Sequence, residues 1–190
     1  MEKIRCSWVG EQKIYQDYHD NVWGRPNYDS RDLFAKLCLD GQQAGLSWIT
    51  ILKKQESYER AFANFDPHEL VKFTDRDVER LMQDKGIVRN RLKIKSIIKN
   101  AQAYLDIEQS GTDFAEFIWQ FVGGKPIQNS WQSGKDVPVS TPESDAMAKA
   151  LKKQGFSFVG TTICYAFMQA VGMVNDHTVD CHCYDEISTN

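Results

Sequence analysis

Three groups of residues in this 190-residue chain carry side chains suited to chemistry. The stretch from Cys38 to Trp48 sets a carboxylate (Asp40), two amides (Gln42, Gln43), two glycines (Gly41, Gly45) and an indole (Trp48) close together. An acid beside an aromatic can bind and polarise a flat ligand. The same wording also serves as a plain interhelical connection, with Ser47 capping the next helix and Trp48 anchoring a core. The second group is Trp8, Tyr15, Tyr18 and Trp23. Gathered with Trp48 around a cavity whose nearby acid is Asp40, these rings would stack on a base at about 1–3 kcal/mol each, and a cationic base would gain more from the ring faces. Taken singly, each ring suits a core. The third group joins the two ends of the chain: Cys6 and His19 near the start, His177 and Cys181 near the finish. The i, i+4 spacing of His177 and Cys181 can present both on one helical face. Two thiolates and two imidazoles suit tetrahedral Zn2+. No short Cys-x2-Cys pair supports that reading, and His182 and Cys183 leave the choice of ligands open.

The elements that must position these groups read as helices. Before residue 29 the chain suggests turns and short helices. A helix opens at Ser30, turns Leu33, Phe34 and Leu37 inward and ends near Gly41. A second runs from Ser47 through Trp48, Ile51, Leu52, Tyr58 and Phe62 and stops before Asp66-Pro67. Thr74 with Asp77 forms a capping box for a short helix carrying Val78, Leu81 and Met82, with Gly86 at its stop. The stripe Ile94, Ile97, Ile98, Ala101, Tyr104 and Leu105 predicts the next helix, closed by Gly111. Phe114, Phe117, Ile118 and Phe121 predict another, closed by Gly123-Gly124. Residues 123–140 read as one long loop. Thr141-Pro142 opens a helix in the favoured order of cap and first-turn proline, and a last apolar helix spans Ile163 to Val171. No alternating stretch competes, so the fold class is all-α, and with no linker the chain reads as a single domain over residues 1–190.

Composition narrows the setting. At 42% hydrophobic and 26% charged residues the chain has the make-up of a soluble protein, and no apolar run approaches the length of a membrane span. The start lacks a stretch of signal-peptide length, so a cytosolic, monomeric protein is expected. Five cysteines cannot all pair, and a reducing cytosol leaves them as thiols or metal ligands. The net charge of -3 argues weakly against a nucleic-acid partner. Its distribution argues the other way: Lys85, Arg89, Arg91, Lys93, Lys95 and Lys99 lie in a segment with no acidic residue. Such a run is also compatible with a solvated face balanced by acids elsewhere. Leu81 to Ala101 has the layout of a helix-hairpin-helix, whose second helix can offer N-terminal amides to a phosphate without reading a base. Val88 stands where that motif usually has a second glycine.

The segment from Cys38 to Lys54 closely resembles the 3-methyladenine DNA glycosylase I family. So do Tyr18-His19-Asp20-Asn21 with Trp23-Gly24, Gly86 to Ala101, Gly155 to Tyr165, and Asn175-Asp176-His177. The resemblance covers nearly the entire chain. It implies a helix-hairpin-helix glycosylase fold with the hairpin at about residues 74–106, and a clamp built from residues 1–28 and 173–190. In that clamp Cys6, His19, His177 and Cys181 hold one structural Zn2+. It implies a monofunctional enzyme that flips 3-methyladenine out of double-stranded alkylated DNA and hydrolyses its N-glycosidic bond. Asp40 would act on the base in catalysis, with Trp8, Tyr15, Tyr18, Trp23 and Trp48 forming the pocket. Gly45, Leu46, Gly86, Arg89, Arg91 and Lys93 would meet the DNA, Leu46 as a wedge in the gap left by the base. No lysine is placed by motif for Schiff-base chemistry, so strand cleavage is not expected. One residue departs: the family's pocket acid is a glutamate and here it is Asp40, one methylene shorter. Its carboxylate should fall short by ~1.5 Å unless the backbone moves or a water bridges. Two other classes fit parts of the pattern, a zinc-stabilised DNA-binding module without catalysis and a hydrolase using the Cys/His cluster. The aromatic pocket argues against the first, and a metal with four protein ligands, having no open position, against the second.

Overall fold

The protein, described by a computed structural model over residues 3–188, is built from helices packed around α2 (Ser30–Gln43). Leu33, Phe34 and Leu37 point inward and are fully buried. The helix is capped by Asp29, whose carboxylate accepts from the amides of Arg31 and Asp32, and not by Ser30. The Ser30 hydroxyl instead donates to Asp113 at 2.9 Å and accepts from the Ala115 amide at 2.9 Å, which ties α2 to the start of α8 (Phe114–Trp119). Nor does α2 end at Gly41. That glycine lies within the last turn, where a Cβ would come within 3.2 Å of Phe158, so its small size serves close packing and not a stop. The stretch read as a connection is therefore largely helix, and it holds Asp40 rigidly.

The segment read as one helix from Ser47 to Phe65 is three pieces: α3 (Trp48–Leu52), α4 (Gln55–Ala61) and a 3-10 turn at Ala63–Phe65. The apolar stripe lacks a member between Leu52 and Tyr58, since polar Gln55 occupies the intervening turn, and the chain bends there. After α5 (Pro67–Leu70) comes α6 (Asp75–Leu81), opened by the expected capping box in which the Thr74 amide donates to Asp77 at 2.8 Å. A turn over residues 82–90 leads to the long α7 (Arg91–Gln109), which packs on both α2 and α6.

α9 (Pro142–Lys153) and α10 (Thr161–Ala170) pair with one another, and α10 lies against α2. The loop over 123–140 contains β1 (Ile127–Gln128), which pairs in parallel with β2 (Val174–Asn175). Two residues are too few to show a period of two, so this ladder left no pattern in the sequence. α1 (Lys13–Asn21) and α11 (His182–Ser188) complete the chain. His177 and Cys181 lie before α11, in a turn closed by the Cys181 amide on Thr178 O at 2.8 Å, and not on one helical face.

Candidate base pocket and metal cluster

The six residues expected in the pocket, Trp8, Tyr15, Tyr18, Trp23, Asp40 and Trp48, line one cavity of about 290 Å3. Asp40 and Trp48 come from the end of α2 and the start of α3. The other four come from the N-terminal segment folded across them. Trp8 sits at the rim, 36% exposed, with ring centroids 4.9 Å from Tyr15 and 5.0 Å from Trp23. Tyr18 and Trp48 lie deeper, 5.6 Å apart. Burial, reinforced by the Asp40 charge, raises the Tyr18 phenol well above its ordinary value, so its hydroxyl stays protonated.

Asp40 is 2% exposed. Its Oδ1 accepts from Lys36 Nζ at 2.5 Å. Burial raises its pKa and the Lys36 charge works against that rise. Among the described residues, the buried side-chain polar atoms lacking a hydrogen-bond partner are Asp40 Oδ2 and Trp48 Nε1. Both belong to this cavity. An orphaned buried acceptor and donor cost about 1–3 kcal/mol each, a cost that a polar ligand would remove. Two lining residues carried no separate signal in the sequence. Lys36 neighbours an apolar stripe and reads as surface. Asp176 is buried, accepting from Asn129 and Trp131 at 2.7 Å each, Tyr165 at 2.6 Å and Gln169 at 2.9 Å, and it anchors the long loop to the C-terminal segment.

Behind the pocket wall lies the cluster at the chain's two ends. Cys6, His19, His177 and Cys181 are all buried, with their ligating atoms within 4.8 Å of one another. Bonds of about 2.3 Å to sulfur and about 2.0–2.1 Å to nitrogen in a tetrahedron put sulfur and nitrogen about 3.5 Å apart. The separations are 3.6 Å for Cys6 Sγ to His177 Nδ1, 3.5 Å for Cys181 Sγ to His19 Nε2 and 3.4 Å for Cys181 Sγ to His177 Nδ1. The second ring nitrogens are held as metal ligands require: His19 Nδ1 lies 2.9 Å from Asp20, and His177 Nε2 lies 3.3 Å from Trp23 O. Gly24 makes room for that ring, since a Cβ there would lie 2.8 Å from His177 Nε2. Hydrogen bonds from Cys183 and Cys6 pull the Cys181 thiol far down, while its partnership with Cys181 pushes Cys6 up. His182 Nδ1 lies 2.9 Å from Ile4 O, while its Nε2 lies 3.4 Å from Cys183 Sγ, and Cys181, His182 and Cys183 also bring their ligating atoms within 4.8 Å of one another. The arrangement can hold a metal.

The expected DNA face divides. Gly45 (φ +76°) forms a tight turn that leaves Leu46 40% exposed, so Leu46 is no core residue. Arg89 is exposed. Arg91 pairs with Glu79 and Lys95 with Asp75 at 3.4 Å, so acids on α6 balance part of the basic run. Gly86 packs closely on Ser57. Lys93 departs from expectation: its side chain is buried, and Nζ donates to Gln42 O at 2.8 Å and Ala44 O at 2.6 Å. It secures the end of α2 and is not free for phosphate.

A helical frame that presents an aromatic cavity with a buried acid defines a protein for flat, positively polarised ligands. A family model described as methyladenine glycosylase matches residues 8–184, and the chain belongs to that family. A DNA-3-methyladenine glycosylase of Haemophilus influenzae is 56% identical over 179 residues, 94% of this chain and 97% of that one. DNA-3-methyladenine glycosylase 1 of Escherichia coli is 56% identical over 180 residues, 95% and 96% of the two chains. A crystal structure of 3-methyladenine DNA glycosylase I superposes with a TM-score of 0.94 at 56% identity, covering 95% of this chain and all of that one. A Staphylococcus aureus structure described as the basis of 3-methyladenine recognition reaches 0.92 at 40% identity, covering 95% and 96%.

Proposed function

We propose that this protein excises 3-methyladenine from alkylated double-stranded DNA by hydrolysing the N-glycosidic bond, leaving an abasic site. The observation that carries the reading is the pair of orphaned polar atoms, Asp40 Oδ2 and Trp48 Nε1, on two residues that line one aromatic cavity. The bond is unreachable in stacked DNA, so the nucleotide must flip out at a cost of a few kcal/mol. Exposed Leu46 at the Gly45 turn supports a wedge that holds the gap open.

Alkylation at N3 makes the adenine a cation. When the bond from the sugar C1′ to N9 breaks, its electron pair passes to the base, which leaves neutral. Water adds to C1′ and its proton goes to solvent. Such a leaving group needs little acid catalysis. The protein's part is to bind, orient and stabilise charge. Asp40 accepts from the exocyclic amine, the Tyr18 hydroxyl remains a donor, and the tryptophans cover the ring faces. Cys6 Sγ, His19 Nε2, His177 Nδ1 and Cys181 Sγ would hold one Zn2+, which with four protein ligands supplies structure and no open site for chemistry.

Release of free 3-methyladenine from methylated duplex DNA, measured with and without chelator, tests the reading. Base release that survives brief chelation supports a structural metal. DNA binding without release would leave a binding module in place of an enzyme, and immediate loss on chelation would make the metal catalytic.

A further inference from the structure

One turn before Asp40, α2 carries a lysine that base binding as described does not use. Lys36 Nζ lies 2.5 Å from Asp40 Oδ1 and 3.7 Å from the centroid of the Trp48 ring. Its side chain is only 15% exposed. A cation against a carboxylate and over an indole face is in the surroundings that an N3-alkylated adenine needs. We infer that Lys36 is an internal stand-in for the cationic base, holding its electrostatic seat in the free protein and leaving it when the base enters, so that Lys36 sets this chain's selectivity between charged and neutral bases. The inference rests on the excision reading above.

Charge in the cavity argues for it first. Asp40 and Lys36 together are neutral, and the other lining carboxylate, Asp176, is already engaged by four donors. With the lysine in place, a cationic ligand meets no uncompensated negative charge. Reach argues next. Asp40 is one methylene short, and the group that meets its Oδ1 is the Lys36 ammonium. Finally, the lysine has somewhere to go. A second cavity of about 370 Å3 shares Lys36 and Ala170 with the first and is also lined by one cation, Arg25, and by Asp32, Gln55 and Glu59. Asp32 stands one turn earlier on α2 and Glu59 on α4, so rotation about side-chain torsions alone can move the ammonium between carboxylates. Burial already pulls the pKa of Lys36 down, with Asp40 opposing, so the inner seat holds the charge under strain.

The exchange treats ligands unequally. A cationic base replaces one cation with another, and the Asp40 carboxylate keeps a partner. A neutral base gains nothing by displacing the lysine, since that would leave the carboxylate buried without a partner; it binds with the lysine still in its seat, so the lysine competes with cations alone. Removing the lysine should therefore favour cations selectively.

The test compares 3,9-dimethyladenine, cationic at neutral pH, with free 3-methyladenine, largely neutral in mildly alkaline buffer. Binding of each is measured by calorimetry to the wild type, Lys36→Met and Lys36→Gln, all checked for folding by circular dichroism. Both variants are expected to shift the cation-to-neutral affinity ratio upward, by roughly ten-fold if one cation–π and ion-pair competitor is removed. An unchanged or lowered ratio in both folded variants overturns the stand-in role while leaving excision intact. Failure of the wild type to bind either ligand or to release base from methylated DNA overturns the excision reading, and this one with it.

Discussion

The Asp40–Lys36 pair makes the pocket acid a structural as well as a chemical residue. Asp40→Asn removes the inner partner of the Lys36 ammonium, and breaking a buried pair from one side costs up to about 3 kcal/mol, less whatever an outward swing toward Asp32 and Glu59 recovers. Asp40→Asn should therefore melt lower than Asp40→Asn/Lys36→Met, a difference that thermal denaturation of the two would register. In single-turnover excision Asp40→Asn is expected to lose about 1–3 kcal/mol of transition-state stabilisation without abolishing the reaction. Complete loss would make Asp40 a general base, and a rate equal to wild type would remove it from the site. Borohydride treatment during turnover should trap no adduct; a trapped one would make a pocket lysine a Schiff-base nucleophile. Asp40 was legible because acid, glycines and indole fall in one short stretch. Lys36 was not, because its partner is a turn away and its seat over Trp48 exists only after α3 folds back on α2.

Among elements, the pocket is bolted to α7 and to the turn that precedes it. Lys93 of α7 holds Gln42 O and Ala44 O, Gln42 Nε2 returns a bond to Lys93 O at 3.0 Å, and Tyr58 OH accepts from the Val88 amide at 3.1 Å. Two residues of one basic run thus predict opposite behaviour. Lys93→Met should lower stability by about 2 kcal/mol in denaturant titration, the scale of a charged hydrogen bond, with the salt dependence of DNA binding unchanged. Arg89→Ala should leave stability alone and reduce the slope of log K against log salt by about one. Leu46→Ala should fold normally and excise poorly. An unfolded variant would return Leu46 to the core. Helix existence followed from apolar spacing wherever the stripe was unbroken, as in α7 and α9. The break after Leu52 and the inward turn of Lys93 escaped, since each depends on a partner distant in sequence.

For the whole molecule, the decisive contacts join its ends. Stoichiometric zinc is expected in the purified protein, and Cys6→Ala should lose it together with several degrees of thermal stability before intrinsic excision falls. Zinc content unchanged in Cys6→Ala would break the assignment. The residue types of the clamp were visible in the chain, whereas the turn that joins His177 to Cys181 was not, because i, i+4 spacing describes a helix as readily as a turn. The same closure orders events during synthesis. The rings that wall the pocket, Trp8 to Trp23, leave the ribosome before His177 and Cys181, which pin that segment in place and emerge roughly 8 to 30 s later at about 5–20 residues per second. A nascent chain that has not reached His177 holds α2, α7 and Arg89 in its sequence but lacks the residues that pin the roof over Asp40. Competence to take up a base is thus withheld until the segment carrying His177 and Cys181 has emerged.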